Sequence, residues 1–192
     1  MDFRRLIERA REHATTRPKS VGQQLATGQQ PTVLFITCAD SRIVTSAITG
    51  AEPGSVFELR TAGNVIPEYR LEAPSSEMAT IEFAVVQLGV SEVIVCGHSH
   101  CGAVSALHGA DIGHLPAMRR WLSRHARTGA SAADPALREE GKQHVLEQLR
   151  KLETYPFVRY RAMTGDLRVH GWFYDIETAE VLTSATASFQ PL

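Results

Sequence analysis

The stretch PTVLFITCADSR, residues 31–42, carries the strongest structural signal in this chain. From Thr32 to Thr37 it is apolar and β-branched over the length of one strand. A strand that is apolar on both faces is typical of a parallel sheet covered by helices on both sides. We therefore expect a buried parallel strand here, followed at its carboxyl end by the polar segment CADSR.

Two further runs of this kind follow, SVFELR at residues 55–60 and EVIVC at residues 92–96. Between them, the sequence PSSE at residues 74–77 predicts a helix start with a serine cap, and the helix is expected to run to Leu88. Gly89 suits the end of a helix because it tolerates a positive φ. Strand, helix and strand in this order indicate a βαβ unit and a parallel sheet.

The rest of the sequence predicts helices around this sheet and two further strands near the C-terminus. Residues 2–13 form an amphipathic helix with a narrow apolar face, which we expect to pack on a neighbouring surface. Residues 101–164 are predicted to be mostly helical, with a loop at 129–135. Residues 167–174 predict a strand, and residues 181–183 a return strand that is antiparallel to it.

These elements predict one α/β domain over residues 1–192. Its core is a mainly parallel central sheet of about four strands plus an antiparallel edge strand, flanked by helices. Residues 1–28 are expected to form a helical arm, and residues 165–192 an edge hairpin.

The composition and charge of the chain argue against several classes of function. The chain has 192 residues, of which 43% are hydrophobic and 21% charged, as expected of a globular domain. Its formal net charge of −1 argues against a nucleic-acid partner. No apolar run approaches the roughly 18 residues of a membrane span, and the start MDFRRLIERAREH lacks the apolar core of a signal peptide. We expect a cytoplasmic protein with no membrane partner.

Residues that could bind a metal ion or take part in catalysis are concentrated just after two of the predicted strands. CADSR at residues 38–42 follows the first, and GHSHCG at residues 97–102 follows another. Because the carboxyl ends of parallel strands share one edge of a sheet, the two segments are expected to meet. They offer Cys38, Cys101 and either His98 or His100, a ligand set that suits zinc. Three protein ligands with one open position describe a catalytic zinc site.

The residues alone leave other interpretations open. Cys38 and Cys101 could be inert buried thiols, since cysteine is among the most buried residue types. Asp40 or Ser41 could merely cap the helix that follows, with Arg42 on a solvated face. The H-x-x-C spacing favours His98 over His100 as a ligand.

The paired motifs Cys-x-Asp-x-Arg and His-x-x-Cys-Gly resemble those of the β-class carbonic anhydrases. The resemblance covers residues 29–108, including RTAGNVIP at residues 60–67, and returns in VHGW at residues 169–172. It implies zinc-dependent reversible hydration of CO2 to bicarbonate and a proton, by attack of zinc-bound hydroxide on CO2. It also implies one Zn2+ per chain, held by Cys38, His98 and Cys101.

The same resemblance implies roles for the other site residues. Asp40, paired with Arg42, would accept a hydrogen bond from the water on the zinc, and the Gly102 N–H would be available to bicarbonate. Gln29 falls where the family has an amide that binds substrate, often from a second subunit. The apolar pocket positions fall at Phe57, Ala62 and Phe83, the last of which is Tyr in some relatives.

The resemblance further favours one form of the site and a dimeric assembly. Closed, bicarbonate-regulated members have Trp three residues before the first zinc cysteine and Gly immediately before it. Phe35 and Thr37 stand at those positions here. Together with Gln29, they favour the open form, in which Asp40 stays paired with Arg42 and water is the fourth zinc ligand. In the closed form, the aspartate itself binds the zinc. A homodimer, or a dimer of dimers, is expected.

Two alternatives of function stay open on the sequence. The first is a hydrolase of a sulfur analogue such as carbonyl sulfide or carbon disulfide, which would use the same site. The second is a catalytically silent bicarbonate-binding module in which zinc is bound but turnover is suppressed.

Overall fold

A computed structural model describes residues 2–185 and 188–192 and divides the chain into two compact units. The first unit ends at Gln30 and contains two helices, α1 (Phe3–Thr16) and α2 (Lys19–Ala26). The Asp2 carboxylate caps α1 by accepting a hydrogen bond from the Arg4 N–H. The helix predicted over residues 2–13 is therefore present and one turn longer, because no residue between 13 and 16 breaks it.

The second unit begins at Pro31, and its described residues form six strands and six α-helices. The strands are β1 (Val33–Cys38), β2 (Val56–Thr61), β3 (Glu92–His98), β4 (Arg168–Tyr174), β5 (Val181–Ala185) and β6 (Ser188–Pro191). The helices are α3 (Thr45–Thr49), α4 (Ser76–Glu82), α5 (Gly102–Leu107), α6 (Pro116–His125), α7 (Arg138–Leu152) and α8 (Pro156–Met163).

The strands form one sheet in the order β2-β1-β3-β4-β5-β6. The first four are parallel, and β5 and β6 are antiparallel additions at one edge. This confirms the predicted mainly parallel α/β fold, with two antiparallel strands at the edge where one was expected. Thr37 pairs with Cys96, so the carboxyl ends of β1 and β3 lie side by side.

The expectation that all three apolar runs would be buried strands is wrong for the second. β1 is buried, with Leu34 and Ile36 at 0% exposure, because it lies between two other strands. β2 is the outermost strand of the sheet, and among its residues only Leu59 and Thr61 are buried. Hydrophobic content alone does not distinguish a central strand from an edge strand.

The helical prediction over residues 101–164 needs a similar correction. Besides the expected loop at 129–135, the chain leaves the helix between Leu107 and Pro116, where Gly109 has a φ of 104°. Local residues explain this break, because a glycine with positive φ ends one helix and a proline starts the next.

The helix expected to end at Leu88 starts with the predicted cap, since the Ser75 hydroxyl accepts from the Met78 N–H at 3.3 Å. It changes character at Phe83, where residues 83–87 form a π-helical turn. The Leu88 N–H closes that turn on the Phe83 carbonyl at 2.9 Å. Gly89 then takes a φ of 68°, as a helix-ending glycine should.

Helix α7 packs closely on the sheet beside the carboxyl end of β3. A Cβ atom at Gly97 would lie 2.5 Å from the Val145 Cγ2 atom, so only glycine permits this approach. Val145 and Leu152 of α7 are fully buried. Within the described part of the chain, no helix is both long and apolar enough to cross a bilayer.

Candidate metal centre and active site

Three metal-ligating side chains meet at the carboxyl edge of the sheet. Cys38 ends β1, His98 ends β3 and Cys101 immediately precedes α5. One donor atom from each lies within 4.8 Å of the other two. All three are buried, with exposures of 6% or less. The sheet order therefore brings together residues that are sixty positions apart in sequence.

The His98 ring is held in the orientation that a metal ligand needs. Its Nδ1 lies 2.8 Å from the Ser99 carbonyl oxygen, which can only accept, so Nδ1 carries the proton. The other ring nitrogen, Nε2, then presents a lone pair. It is buried and has no hydrogen-bond partner among the described residues. A buried imidazole nitrogen without a hydrogen-bond partner, beside two thiols, is suited to bind a metal ion.

Hydrogen bonds favour negative charge on one of the two sulfur atoms, that of Cys38. The Gly63 N–H donates to the Cys38 Sγ at 3.3 Å. Donation from the Cys101 thiol, with smaller contributions from backbone N–H groups, lowers the pKa of Cys38 to about 4. Holding the proton for Cys38, together with burial, raises the pKa of Cys101. Thiolate is the form that binds zinc, and a cation would remove the second proton.

Asp40 and Arg42 form a two-pronged ion pair at the mouth of this cluster. Arg42 Nε donates to Asp40 Oδ1 at 2.9 Å, and Arg42 Nη2 donates to Oδ2 at 2.7 Å. These bonds hold the pKa of Asp40 well below its usual range. Asp40 Oδ2 also lies 4.0 Å from His98 Nε2, so the carboxylate faces the donor cluster while it stays on the arginine.

The other predicted site residues fall into three places. Ala62 begins the 3-10 turn Ala62–Asn64 beside Cys38, and Gly102 is the first residue of α5, directly after Cys101. Phe57 and Phe83 contact each other, with ring centroids 6.0 Å apart.

The structure does not bring this phenylalanine pair to the cluster within one chain. Phe57 pairs with Leu34, whereas Thr61 pairs with Cys38, a difference of four strand residues or about 13 Å. Gln29 belongs to the first unit, which ends at Gln30, and its proposed role stays a prediction.

His100, the alternative histidine ligand, and Cys96, the third cysteine of the chain, lie outside the donor cluster. His100 directs its Nε2 to the Glu177 carboxylate at 3.1 Å, and its carbonyl accepts from Arg42 Nη2 at 2.9 Å. Cys96 is fully buried in the strand, where burial raises its pKa to about 12. Neither side chain belongs to the donor cluster.

Arg60 is a site residue that sequence reasoning missed. It donates to the main-chain carbonyls of Cys38, Asp40 and Ile43, at 2.9, 2.9 and 2.7 Å from Nη2. It therefore ties down the turn that carries a candidate ligand and the candidate proton acceptor. No local pattern signals this role, because all three acceptors are 17–22 residues away in sequence.

His144 is a second supporting residue that sequence reasoning missed. It is buried on α7, and its Nε2 lies 2.8 Å from the Gly63 carbonyl oxygen, to which it must donate. Burial lowers the pKa of His144 to about 4. Gly63, whose N–H donates to Cys38, is thus also held through its carbonyl group by a neutral histidine.

The donor set fits a zinc ion. Two sulfurs and one imidazole nitrogen are preferred ligands of zinc, and the three atoms lie within 4.8 Å of one another. Three protein donors converge among the described residues, so the arrangement can leave one position open for a small molecule. The adjacent carboxylate can accept a hydrogen bond from that molecule.

Comparisons with known proteins agree with this geometry. A sequence model of the family described as carbonic anhydrase matches residues 33–181. The chain is 40% identical over 193 residues to a carbonic anhydrase of Synechocystis sp., covering 94% of this chain and 70% of the relative. It is 42% identical over 167 residues to a carbonic anhydrase of Pseudomonas aeruginosa, covering 83% and 76%. The solved β-carbonic anhydrase CcaA matches with a TM-score of 0.88 at 34% identity, covering 98% of both chains.

Proposed function

The chain belongs to the β-class carbonic anhydrase family, and on that premise we propose that it hydrates CO2 reversibly with one zinc ion per chain held by Cys38, His98 and Cys101. One observation carries the proposal: the three donor atoms lie within 4.8 Å of one another beside an ion-paired carboxylate. The buried, unpartnered Nε2 of His98 supports it.

The ligand set determines how strongly the site acidifies water. Zinc, when bound, would act as a Lewis acid that lowers the pKa of a water molecule and so supplies hydroxide near neutral pH. The Cys38 and Cys101 thiolates would balance the two positive charges of the ion, which three neutral histidines would not. We therefore expect weaker acidification of water here than in a three-histidine site.

Asp40 is proposed as the acceptor that orients the attacking water. Its Oδ2 faces the donor cluster, and its low pKa keeps it ionised over the working pH range. A carboxylate in this place accepts the remaining proton of the nucleophile in a hydrogen bond and leaves an oxygen lone pair free for CO2. Water and CO2 would in this way give bicarbonate and a proton.

Arg42 is proposed to keep the site in the open form. It engages both oxygens of Asp40 and also donates to the His100 carbonyl, so the carboxylate has a defined partner other than a metal ion. Without that pairing, Asp40 could turn and occupy the open position. The intact pair supports the open form that Phe35 and Thr37 predicted.

The substrate side of the pocket is proposed to need a second copy of the chain. The Gly102 N–H would donate to bicarbonate, and Ala62 would line the pocket beside it. The Phe57–Phe83 pair lies about four strand residues from the cluster of its own chain, and Phe83 is 44% exposed. We propose a homodimer in which these rings, with Gln29, complete the pocket of the partner. Sedimentation velocity would test the dimer.

Stopped-flow CO2 hydration, with the rate expressed per zinc bound, tests the function. We expect rapid turnover at pH 7 and its loss in Cys38→Ser together with loss of zinc. Cys96→Ala is the matched control, since Cys96 lies outside the donor cluster, and it should keep both zinc and activity.

Other results would redirect the proposal. Full zinc occupancy without turnover at pH 7, but with turnover at pH 8.5, would contradict the open form and indicate the closed one. Absence of CO2 turnover at both pH values would contradict the proposed reaction. Assays with carbonyl sulfide and carbon disulfide, and bicarbonate binding by calorimetry, would then separate the sulfur hydrolase from the silent module.

A further inference from the structure

A cavity that is separate from the metal centre lies between the segment Pro67–Met78 and helix α6. Its volume is about 710 Å³, which is within the range of cavities that hold small organic ligands. Lys151, near the end of α7, also contributes to its wall. None of Cys38, His98 or Cys101 lines it.

The wall of this cavity is strongly cationic. It contains five cationic side chains and one carboxylate, namely Arg70, Arg120, Arg124, Arg127, Lys151 and Glu68. The whole chain, by contrast, has a formal net charge of −1. The cavity wall therefore carries a local excess of positive charge in a chain that is close to neutral.

Most of these cations have no anionic partner within the described residues. Glu68 pairs with Arg70 at 3.0 Å. No ion pair in the described part of the chain involves Arg120, Arg124 or Arg127. Like charges that line one cavity repel one another unless an anion neutralises them.

Lys151 adds an independent observation. Its Nζ atom is buried and has no hydrogen-bond partner among the described residues. Burial lowers the pKa of Lys151, because nothing beside the ammonium fully compensates for the lost water. An ammonium left in this state is stabilised by any anion that reaches it.

The pKa of His125, which also lines the cavity, responds to the same positive charges. Burial lowers its pKa, and the charges of Lys151, Arg124 and Arg70 lower it further. Its ring packs on that of Trp121, with centroids 4.3 Å apart, so it is held in place. A bound anion would reverse these charge effects and raise the pKa of His125.

From this geometry we propose that the cavity is a binding site for a small polyanion carrying phosphate groups. The planar, forked guanidinium groups match phosphate oxygens in pairs. The volume and the number of cations exceed what a single monovalent anion such as bicarbonate would fill or neutralise. The proposal is independent of the reaction at the metal centre.

The test is isothermal titration calorimetry on the zinc-loaded protein, with sodium tripolyphosphate as the probe. We expect saturable one-to-one binding with a Kd below about 1 mM at low salt, weakening as salt is added. The double variant R120Q/R124Q should bind at least about tenfold more weakly. Citrate, which carries carboxylates, should bind more weakly than tripolyphosphate to the native protein.

R119Q/R159Q is the matched control. It loses the same charge from exposed helical arginines that do not line this cavity, so its affinity should equal that of the native protein. Withdrawal of zinc by the probe would affect both variants alike, and zinc content measured afterwards would reveal it. Equal weakening in both double variants, no saturable binding to the native protein, or citrate binding as tightly would each overturn the proposal.

The His125 signal gives a second readout that does not depend on heat. In proton NMR, with the resonance assigned from His125→Gln, the pKa of His125 should rise when tripolyphosphate is added to the native protein. It should not rise in R120Q/R124Q. An unchanged His125 pKa in the presence of saturating probe would place the anion elsewhere and contradict the proposal.

Discussion

The guanidinium of Arg60 donates twice to the main-chain carbonyl of Cys38, from Nε at 3.2 Å and from Nη2 at 2.9 Å. The same group also donates to the carbonyls of Asp40 and Ile43. One side chain on β2 therefore holds the whole turn that leaves β1. The position of the candidate metal ligand and that of the candidate proton acceptor are set by the same residue.

Arg60→Gln should slow CO2 hydration per zinc by at least about tenfold and lower the free energy of unfolding by about 1–3 kcal/mol. Three carbonyls would lose a charged donor, and the turn that orients Asp40 would relax. Stopped-flow assays and urea denaturation measure the two effects.

Arg9→Gln is the control for this variant, because Arg9 forms only an exposed pair with Glu12. It should change the free energy of unfolding by less than about 1 kcal/mol and leave the rate unaltered. If Arg60→Gln kept full activity with normal stability, the positioning role of Arg60 would be wrong.

Asp40→Asn should lower kcat/KM by about 100-fold or more while zinc content stays at one per chain. The amide is nearly the same size but no longer attracts Arg42 or accepts strongly from the attacking water. Asp166→Asn, at an exposed turn, should match the native enzyme in both measurements. Native activity in a zinc-loaded Asp40→Asn enzyme would remove Asp40 from the mechanism.

Gly63→Ala should lower both the free energy of unfolding and the affinity for zinc. A Cβ atom there would lie 2.6 Å from the Ala103 Cβ atom, and the residue has a φ of 71°. Relief of that clash would move the N–H that donates to Cys38. Competition with a zinc chelator and urea denaturation measure the two losses.

Gly50→Ala provides a matched comparison for the backbone. Gly50 has a φ of 70°, but nothing lies within 4 Å of its added Cβ atom. It should carry only the cost of the left-handed conformation, about 1 kcal/mol, with zinc affinity unchanged. Equal effects of the two substitutions would show that the Gly63 contact is unimportant.

His144 should make stability fall between about pH 6.5 and pH 4. Burial lowers the pKa of His144 to about 4 from an ordinary 6.5, so within this window the unfolded chain binds a proton that the folded chain does not. The contribution is complete above pH 6.5 and lost as the pH falls, up to about 3 kcal/mol.

Urea denaturation of native protein and His144→Gln across that window isolates the contribution of His144. The glutamine amide can still donate to the Gly63 carbonyl but does not titrate, so its stability should fall less steeply with acid. Substitution of the exposed His13 by Gln should leave the native pH dependence in place. Parallel curves for native protein and His144→Gln would contradict the buried neutral histidine.

The sequence by itself determined the features that depend on near neighbours. The apolar run of β1, the Ser75 cap and the left-handed Gly89 all follow from side chains within a few residues. The two motifs at residues 38–42 and 97–102 carried the candidate chemistry because each sits intact in a short segment. Such signals are local, and the physics behind them is steric and hydrogen-bonding preference.

Tertiary structure alone decided where those segments meet and what supports them. Strand order brings Cys38 to His98 and leaves β2 at the edge, although its sequence resembles that of a buried strand. Arg60 and His144 act on carbonyl groups 17–22 and 81 residues away, respectively. Main-chain acceptors carry no side-chain signature in a sequence, so their distant donors become visible only when packing has placed them.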